Sequence, residues 1–278
     1  KAGEGIAYAM RAMFYMDLAR MYAPETYGKN KEALTVPLIT EKGTEDMYNN
    51  PRLTNEKMFE FILSDLNKAE EYLTGYKREN KYTPDLSVVY GLKARLYMWV
   101  EDYANAAKYA RLAIDEAANN GVGLMTEEEC LNTKTGFNDI SKWMWGTQMT
   151  SEDRAVTTGI VNWTSWMTNE QTFGYAGVGA TCMIDAKLYS KISDTDFRKL
   201  EFKAPEGSEL ADKVIQIPAT KSLADKRMPA YASVKFRPNE GNTDDPNIGA
   251  ASSYPIMRVE EMYFIEAEAE AHINAAKG

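Results

Sequence analysis

The stretch from Tyr82 to Ala118 constrains this chain more than any other. Its first half carries Val89, Leu92, Leu96, Tyr97 and Val100 at steps of three and four. Its second half carries Tyr103, Ala106, Ala107, Ala110, Ala113, Ile114 and Ala117 at similar steps. That period puts the apolar groups on one face of a helix. Two amphipathic helices are therefore expected, with a tight turn at Glu101 and Asp102. The second is faced almost wholly with alanine, whose small methyls let a neighbouring helix approach closely. Large side chains from that neighbour then fill the gaps. A lone helical pair cannot bury both of its apolar faces, so other segments must supply further helices.

Tyr90, Ala94, Tyr97, Ala106, Ala110 and Ala113 fall at the large and small positions of a tetratricopeptide repeat. Lys93 stands where that pattern wants Leu, and no Pro follows Ala117. Thr83, Pro84 and Asp85 form a start signal for the pair. A helix is predicted from 3 to 23, with a stripe of Ile6, Met10, Met13, Phe14, Leu18, Met21 and Tyr22. The loop from Glu25 to Asn50, broken by Gly28, Pro37 and Gly43, carries Leu34–Ile39 across the surface of the core. Thr54 is a good N-cap for the next helix, although Lys57 occupies the place where a capping box wants Glu. Met58, Phe59, Ile62, Leu63, Leu66, Ala69 and Leu73 form that helix's face, and Gly75 ends it. A final helix is expected to open near Pro255 and to run through Met262, Ile265 and Ala269.

At Asn119 to Gly121 the helical period stops. From 121 to 254 the chain reads as a loop-rich insertion with short strands. Lys142–Gly146 is expected to be a strand with Trp143 and Trp145 on opposite faces. Ile184–Ile192 reads as a short helix, Tyr231–Phe236 as a strand, and Asn239–Ser253 as a turn-rich loop. Loops this long in a compact domain usually carry function. The reading is one mostly α domain over 1–278. Residues 1–120 form the helical scaffold, 121–254 the insertion and 255–278 the start of a further helix. The chain opens directly into one helix and closes just after another, so truncation at both ends is expected.

Several kinds of chemistry are disfavoured. The net charge of −9 leaves no basic surplus for nucleic acid. Cys130 and Cys182 form no CxxC, which leaves one long-range disulfide or, as the favoured reading, two free buried thiols. There is a single histidine, His272, through which any Ser-His-Asp or Cys-His mechanism or multi-His metal site would have to pass. No apolar run reaches the length of a membrane span, and no signal peptide is visible. Gly174–Gly179 lacks the Lys of a phosphate loop. Asn242–Asn247 lacks the central Gly and closing Glu of a calcium loop. Glu127–Glu129, Asp194 with Asp196, and Asp244 with Asp245 carry no spacing that marks a glycosidase pair. A protein without catalytic activity, cofactor or metal is expected.

The window from Gly159 to Gly179 is different. It holds Trp163, Trp166, Phe173 and Tyr175 beside Asn162, Asn169, Glu170 and Gln171. Flat rings stack on the apolar faces of sugars, and amides reach hydroxyls. The competing reading is that these rings pack the insertion onto the helices. No aliphatic period runs through the window, and it is rich in Gly and Thr, which suits an exposed loop.

Seven segments, taken in order, resemble the SusD-like (SusD/RagB) family of Bacteroidetes surface lipoproteins. They are Arg11–Tyr22, Val36–Leu38, Pro51 and Arg52 with Met58–Ala69, Gly91–Met98, Asp194–Lys199, Tyr231 with Lys235 and Phe236, and Tyr254–Ala269. The resemblance implies a SusD-like helical fold and glycan binding without catalysis. It also implies an outward-facing position on the outer membrane through a lipid anchor that this chain lacks. The implied partners are an oligosaccharide or polysaccharide and a TonB-dependent, SusC-like transporter. The rivals are a tetratricopeptide-type scaffold that binds protein or peptide, and a glycoside hydrolase.

Overall fold

The computed structural model describes residues 1–40, 49–218 and 228–275. The middle of the expected Glu25–Asn50 loop, including Gly43, and the last three residues lie outside the described residues. The chain forms two compact units. One comprises Lys1–Gly123, Trp143–Trp145 and the chain from Ile256 onward, and the other Leu124–Lys142 and Gly146–Pro255.

The first unit is helical. Helix α1 (Ala2–Tyr22) packs on α2 (Asn55–Leu73). Between them the Arg11 guanidinium grips the Asp65 carboxylate through Nε at 2.7 Å and Nη2 at 2.9 Å. Both residues belong to segments that carry the family resemblance. Thr54 caps α2 by accepting from the Lys57 N–H at 3.2 Å. Between α1 and α2, β1 (Leu34–Pro37) pairs antiparallel with β2 (Arg52–Thr54). The Leu34–Ile39 crossing is thus partly a strand.

The central pair is α3 (Leu86–Trp99) and α4 (Tyr103–Asn119). Asp85 caps α3 through the Val88 N–H, and Asp102 caps α4 through the Asn105 N–H. The reversal between them needs a left-handed residue, and Glu101 takes it at φ 62°. Ala94, Ala106, Ala110 and Ala113 are all fully buried. Lys93, the departure from the repeat pattern, is also buried, at 1 % exposure. Its ammonium is paired with Glu70 and donates to Asn67 Oδ1 at 2.6 Å, so α2 supplies what a buried charge requires.

The last helix, Val259–Ala275, lies against α4 and α3. Arg95 of α3 reaches Glu261 Oε1 and Oε2, each at 2.6 Å, and the Ile256 carbonyl at 2.8 Å. Gly91 is needed here, because a Cβ would come within 2.3 Å of the Met257 sulfur. His272 stacks on Tyr103 at 4.0 Å between ring centres. This helix opens at Val259 rather than near Pro255, because Pro255–Met257 is a strand, β4. It pairs with β3 (Trp145–Gly146). The expected strand at 142–146 is therefore shorter than read. Trp143 and Trp145 do not alternate between core and surface, since both are buried, at 0 % and 1 % exposure. Trp145 Nε1 donates to the Tyr82 carbonyl at 3.2 Å.

The second unit is built of turns and helices of four to six residues, including Glu127–Cys130, Trp163–Met167, Gly174–Val178, Ala186–Lys191 and Pro246–Gly249. Its apolar cluster is small, centred on Ala204, Leu210, Val214 and Val234. Tyr231–Phe236 is not a continuous strand. Ala232, Ser233 and Phe236 make single bridges to Met183, Phe202 and Gly136, three different parts of the chain, and Tyr231 bends the backbone at φ 71°. Neither Cys130 nor Cys182 is in a disulfide, and each is half-buried rather than buried. Among the described residues, no helix is long and apolar enough to cross a membrane.

Candidate functional site

The Gly159–Gly179 window folds as two short helices held face to face. Asn162 Oδ1 caps the first by accepting from the Ser165 N–H at 2.9 Å and the Thr164 hydroxyl at 2.5 Å. Ser165 Oγ then accepts the Tyr175 N–H at 3.1 Å and so locks the start of the second helix to the first. Gly174 permits this approach. Its φ is 74°, and a Cβ there would lie 2.7 Å from Ser165 Cα. Gly177 is equally confined, with the Gln171 carbonyl oxygen 1.9 Å from where a Cβ would stand.

This packing puts Trp166 and Tyr175 side by side in solvent. Their ring centres are 4.4 Å apart and the rings are inclined by only 23°. Trp166 is 54 % exposed and Tyr175 is 42 % exposed. Two nearly parallel, exposed rings stacked on each other brace one another, so the pair has little conformational freedom left to lose when a ligand lies on it.

The other aromatic residues of the window face inward. Trp163 is half-buried, donates from Nε1 to the Ser252 carbonyl at 2.7 Å and meets Phe236 edge-on at 5.7 Å. Phe173 is half-buried against Gly249.

The amides expected to reach hydroxyls are buried and engaged with the protein's own backbone. Asn169 donates to the Cys182 and Ser233 carbonyls, each at 2.8 Å, and accepts from the Cys182 N–H at 2.9 Å. Gln171 Nε2 donates to the Thr164 carbonyl at 2.9 Å, and Asn162 is taken up by its cap. Glu170 is 3 % exposed and holds the Arg237 guanidinium at 2.6 Å. It also accepts the Ile217 N–H at 2.7 Å. Burial pushes its carboxyl above the usual range, while Arg237 and the Ile217 N–H pull the other way.

Beside the window lies an open depression of about 590 Å³, lined in part by Ile217, Asn242, Thr243 and Asp245. Thr172 ties the window to its edge, donating from its N–H to the Thr243 carbonyl at 2.7 Å. Asn242 Oδ1 accepts the Asp244 and Asp245 N–H groups, which makes the Asn242–Asn247 stretch a turn. The sequence reading singled out the rings but missed Gly174 and Gly177, the residues that bring two of them together. The signal was present, as two glycines three apart directly after an aromatic residue.

No family model and no curated protein sequence matches this chain. Solved structures do. A SusD-like carbohydrate-binding protein from Bacteroides vulgatus aligns over 97 % of this chain and 51 % of its own, with 22 % identity and a TM-score of 0.67. A SusD superfamily protein from the same organism aligns over 96 % and 53 %, with 19 % identity and a TM-score of 0.68. NanU from Bacteroides fragilis aligns over 97 % and 54 %, with 19 % identity and a TM-score of 0.59. The chain thus spans about half the length of these proteins. At such identities the likeness lies in the architecture, and the fold of this chain is the SusD-like fold.

Proposed function

We propose that this protein binds glycans without catalysis, and that as part of a longer surface lipoprotein it passes oligosaccharides to a TonB-dependent transporter in the outer membrane. The observation that carries the reading is the exposed, stacked pair of Trp166 and Tyr175. The naming of a fold neighbour as a carbohydrate-binding protein supports it. Delivery, localisation and the transporter come from the family resemblance in the sequence.

Magnitude sets the expected affinity. A sugar face that shields roughly 50 Å² of each ring contributes about 1 kcal/mol per ring. With a few solvent-competed hydrogen bonds the total is about 4–6 kcal/mol, or roughly millimolar to tens of micromolar. Binding to polymers is then strengthened by repetition of the ligand. The test is native electrophoresis through gels containing a panel of polysaccharides, with wild type beside Trp166→Ala. The expected result is retardation by at least one glycan and its loss in the variant.

A peptide-binding scaffold is the second reading. It is supported by half-buried tyrosines on the helical pair, where Tyr97 stacks on Tyr109 at 5.4 Å and Tyr90 lies 6.1 Å from Tyr109. Peptide binding that survives Trp166→Ala and is lost in Tyr109→Ala would favour it.

A further inference from the structure

We infer that the Trp166–Tyr175 platform takes an uncharged glycan and rejects uronate-bearing or sulfated ones. The inference rests on the glycan reading above and adds the ligand's class. Charged residues make up 26 % of this chain. From Ala155 to Ile184, the thirty residues that contain both rings, Glu170 is the only Asp, Glu, Lys or Arg. Glu170 is itself buried and locked to the Arg237 guanidinium. The exposed side chains of this stretch are instead apolar or neutral. Besides the two rings, Ile160, Val161, Val178 and Met183 stand 43–62 % exposed.

Anionic sugars are held by guanidinium or ammonium groups, through charge-assisted hydrogen bonds. Elsewhere in this molecule cations lie over rings, with Lys93 and Lys108 over Tyr109 and Lys199 over Tyr189. Among the described residues, no Lys or Arg lies over Trp166 or Tyr175. The neighbouring depression is lined by a further carboxylate, that of Asp245. With a net charge of −9, the chain as a whole also repels a polyanion. What remains is stacking on the apolar faces of a neutral sugar, an attraction that salt does not screen.

The experiment compares neutral polymers (glucan, mannan and xylan) with anionic ones (polygalacturonate and a sulfated galactan). Affinity electrophoresis is run on wild type, Trp166→Ala and Trp166→Phe, with calorimetry at about 20 mM and about 500 mM NaCl. The expected result is binding of a neutral polymer alone. Its Kd changes less than about twofold across that salt range. Binding is lost in Trp166→Ala and kept in Trp166→Phe, with unchanged thermal melts. Retention by an anionic polymer that is lost in Trp166→Ala overturns the inference while leaving glycan binding in place. Neutral binding that persists in a folded Trp166→Ala also overturns it, because the ligand then lies elsewhere. No retention by any polymer overturns the glycan reading itself, and the inference falls with it.

Discussion

The two units of this chain are stabilised in opposite ways. In the helical unit each backbone satisfies most of its own hydrogen bonds, and what remains is a matter of fit. Ala106, Ala110 and Ala113 on α4 are fully buried, as are Leu66 on α2 and Leu92 on α3. In the other unit the backbone has few regular partners, so buried side chains replace them. Asn138, Asn162, Asn169, Gln171 and Lys199 each donate to a backbone carbonyl, and Arg237 with Glu170 anchors Ile215 and Ile217. A buried amide in the first unit, such as Asn55 donating to the Glu25 and Asn30 carbonyls at 3.1 and 2.8 Å, supplements the helices. In the second it is the framework, which is why polar residues there do not by themselves mark a ligand site.

The contrast is open to measurement, and the largest effect is expected at its polar extreme. Glu170→Ala leaves the Arg237 guanidinium buried without its anion and should lower unfolding stability by about 3–5 kcal/mol in urea titrations. A near-zero effect would break the comparison.

At the apolar extreme, Ala110→Leu should cost about 1–3 kcal/mol through overpacking. If that variant is neutral, the α4 interface is loose rather than fitted.

The caps are smaller. Asp102→Ala removes the acceptor of the Asn105 N–H and should cost about 1 kcal/mol. Trp166→Ala is the smallest. It should move stability by less than about 0.5 kcal/mol, since the ring is exposed, while abolishing glycan retardation if the proposed platform is the binding surface.

The acid side of the comparison has a pH signature. Burial raises the Glu170 carboxyl in the folded state, so the native protein binds that proton more tightly than the unfolded chain. Its contribution is full below the ordinary carboxylate range and is lost as pH rises through the raised value. Urea titrations across pH should show the stability of wild type relative to Glu170→Gln falling over that window. A rise would reverse the assignment.

These regions also differ in how much their sequence discloses. Helical period, caps and glycine stops are local properties. Thr54 as a cap, Asp85 in a start signal, Asp102 at a turn and Gly75 as a stop could therefore be read directly; the structure makes the first three caps and puts Gly75 just past the end of α2. Lys93 looked like a defect in a repeat because its partners, Glu70 and Asn67, lie on another helix.

In the second unit almost every decisive partner is distant. Trp163 and Trp166 share one short helix, yet Ser252 and Phe236 draw the first inward and leave the second out. No pattern within the window could separate them. Asparagine and glutamine are similarly ambiguous, because an exposed binding loop and an internally bonded loop have the same composition. Trp143 and Trp145 misled for another reason. Alternation implies two faces only where a strand is long enough to have them, and here it has two residues.

One modest contact has a wider consequence. At the rim of the loop-built unit, the Thr147 N–H donates to the Tyr254 carbonyl at 3.0 Å, and the Tyr254 N–H returns a bond to the Thr147 hydroxyl at 3.2 Å. Everything from 147 to 254 is therefore a loop whose ends already meet. Doubling the length of such a loop costs only about 0.6 kcal/mol of closure entropy. Added length between those two residues is therefore cheap in chain entropy.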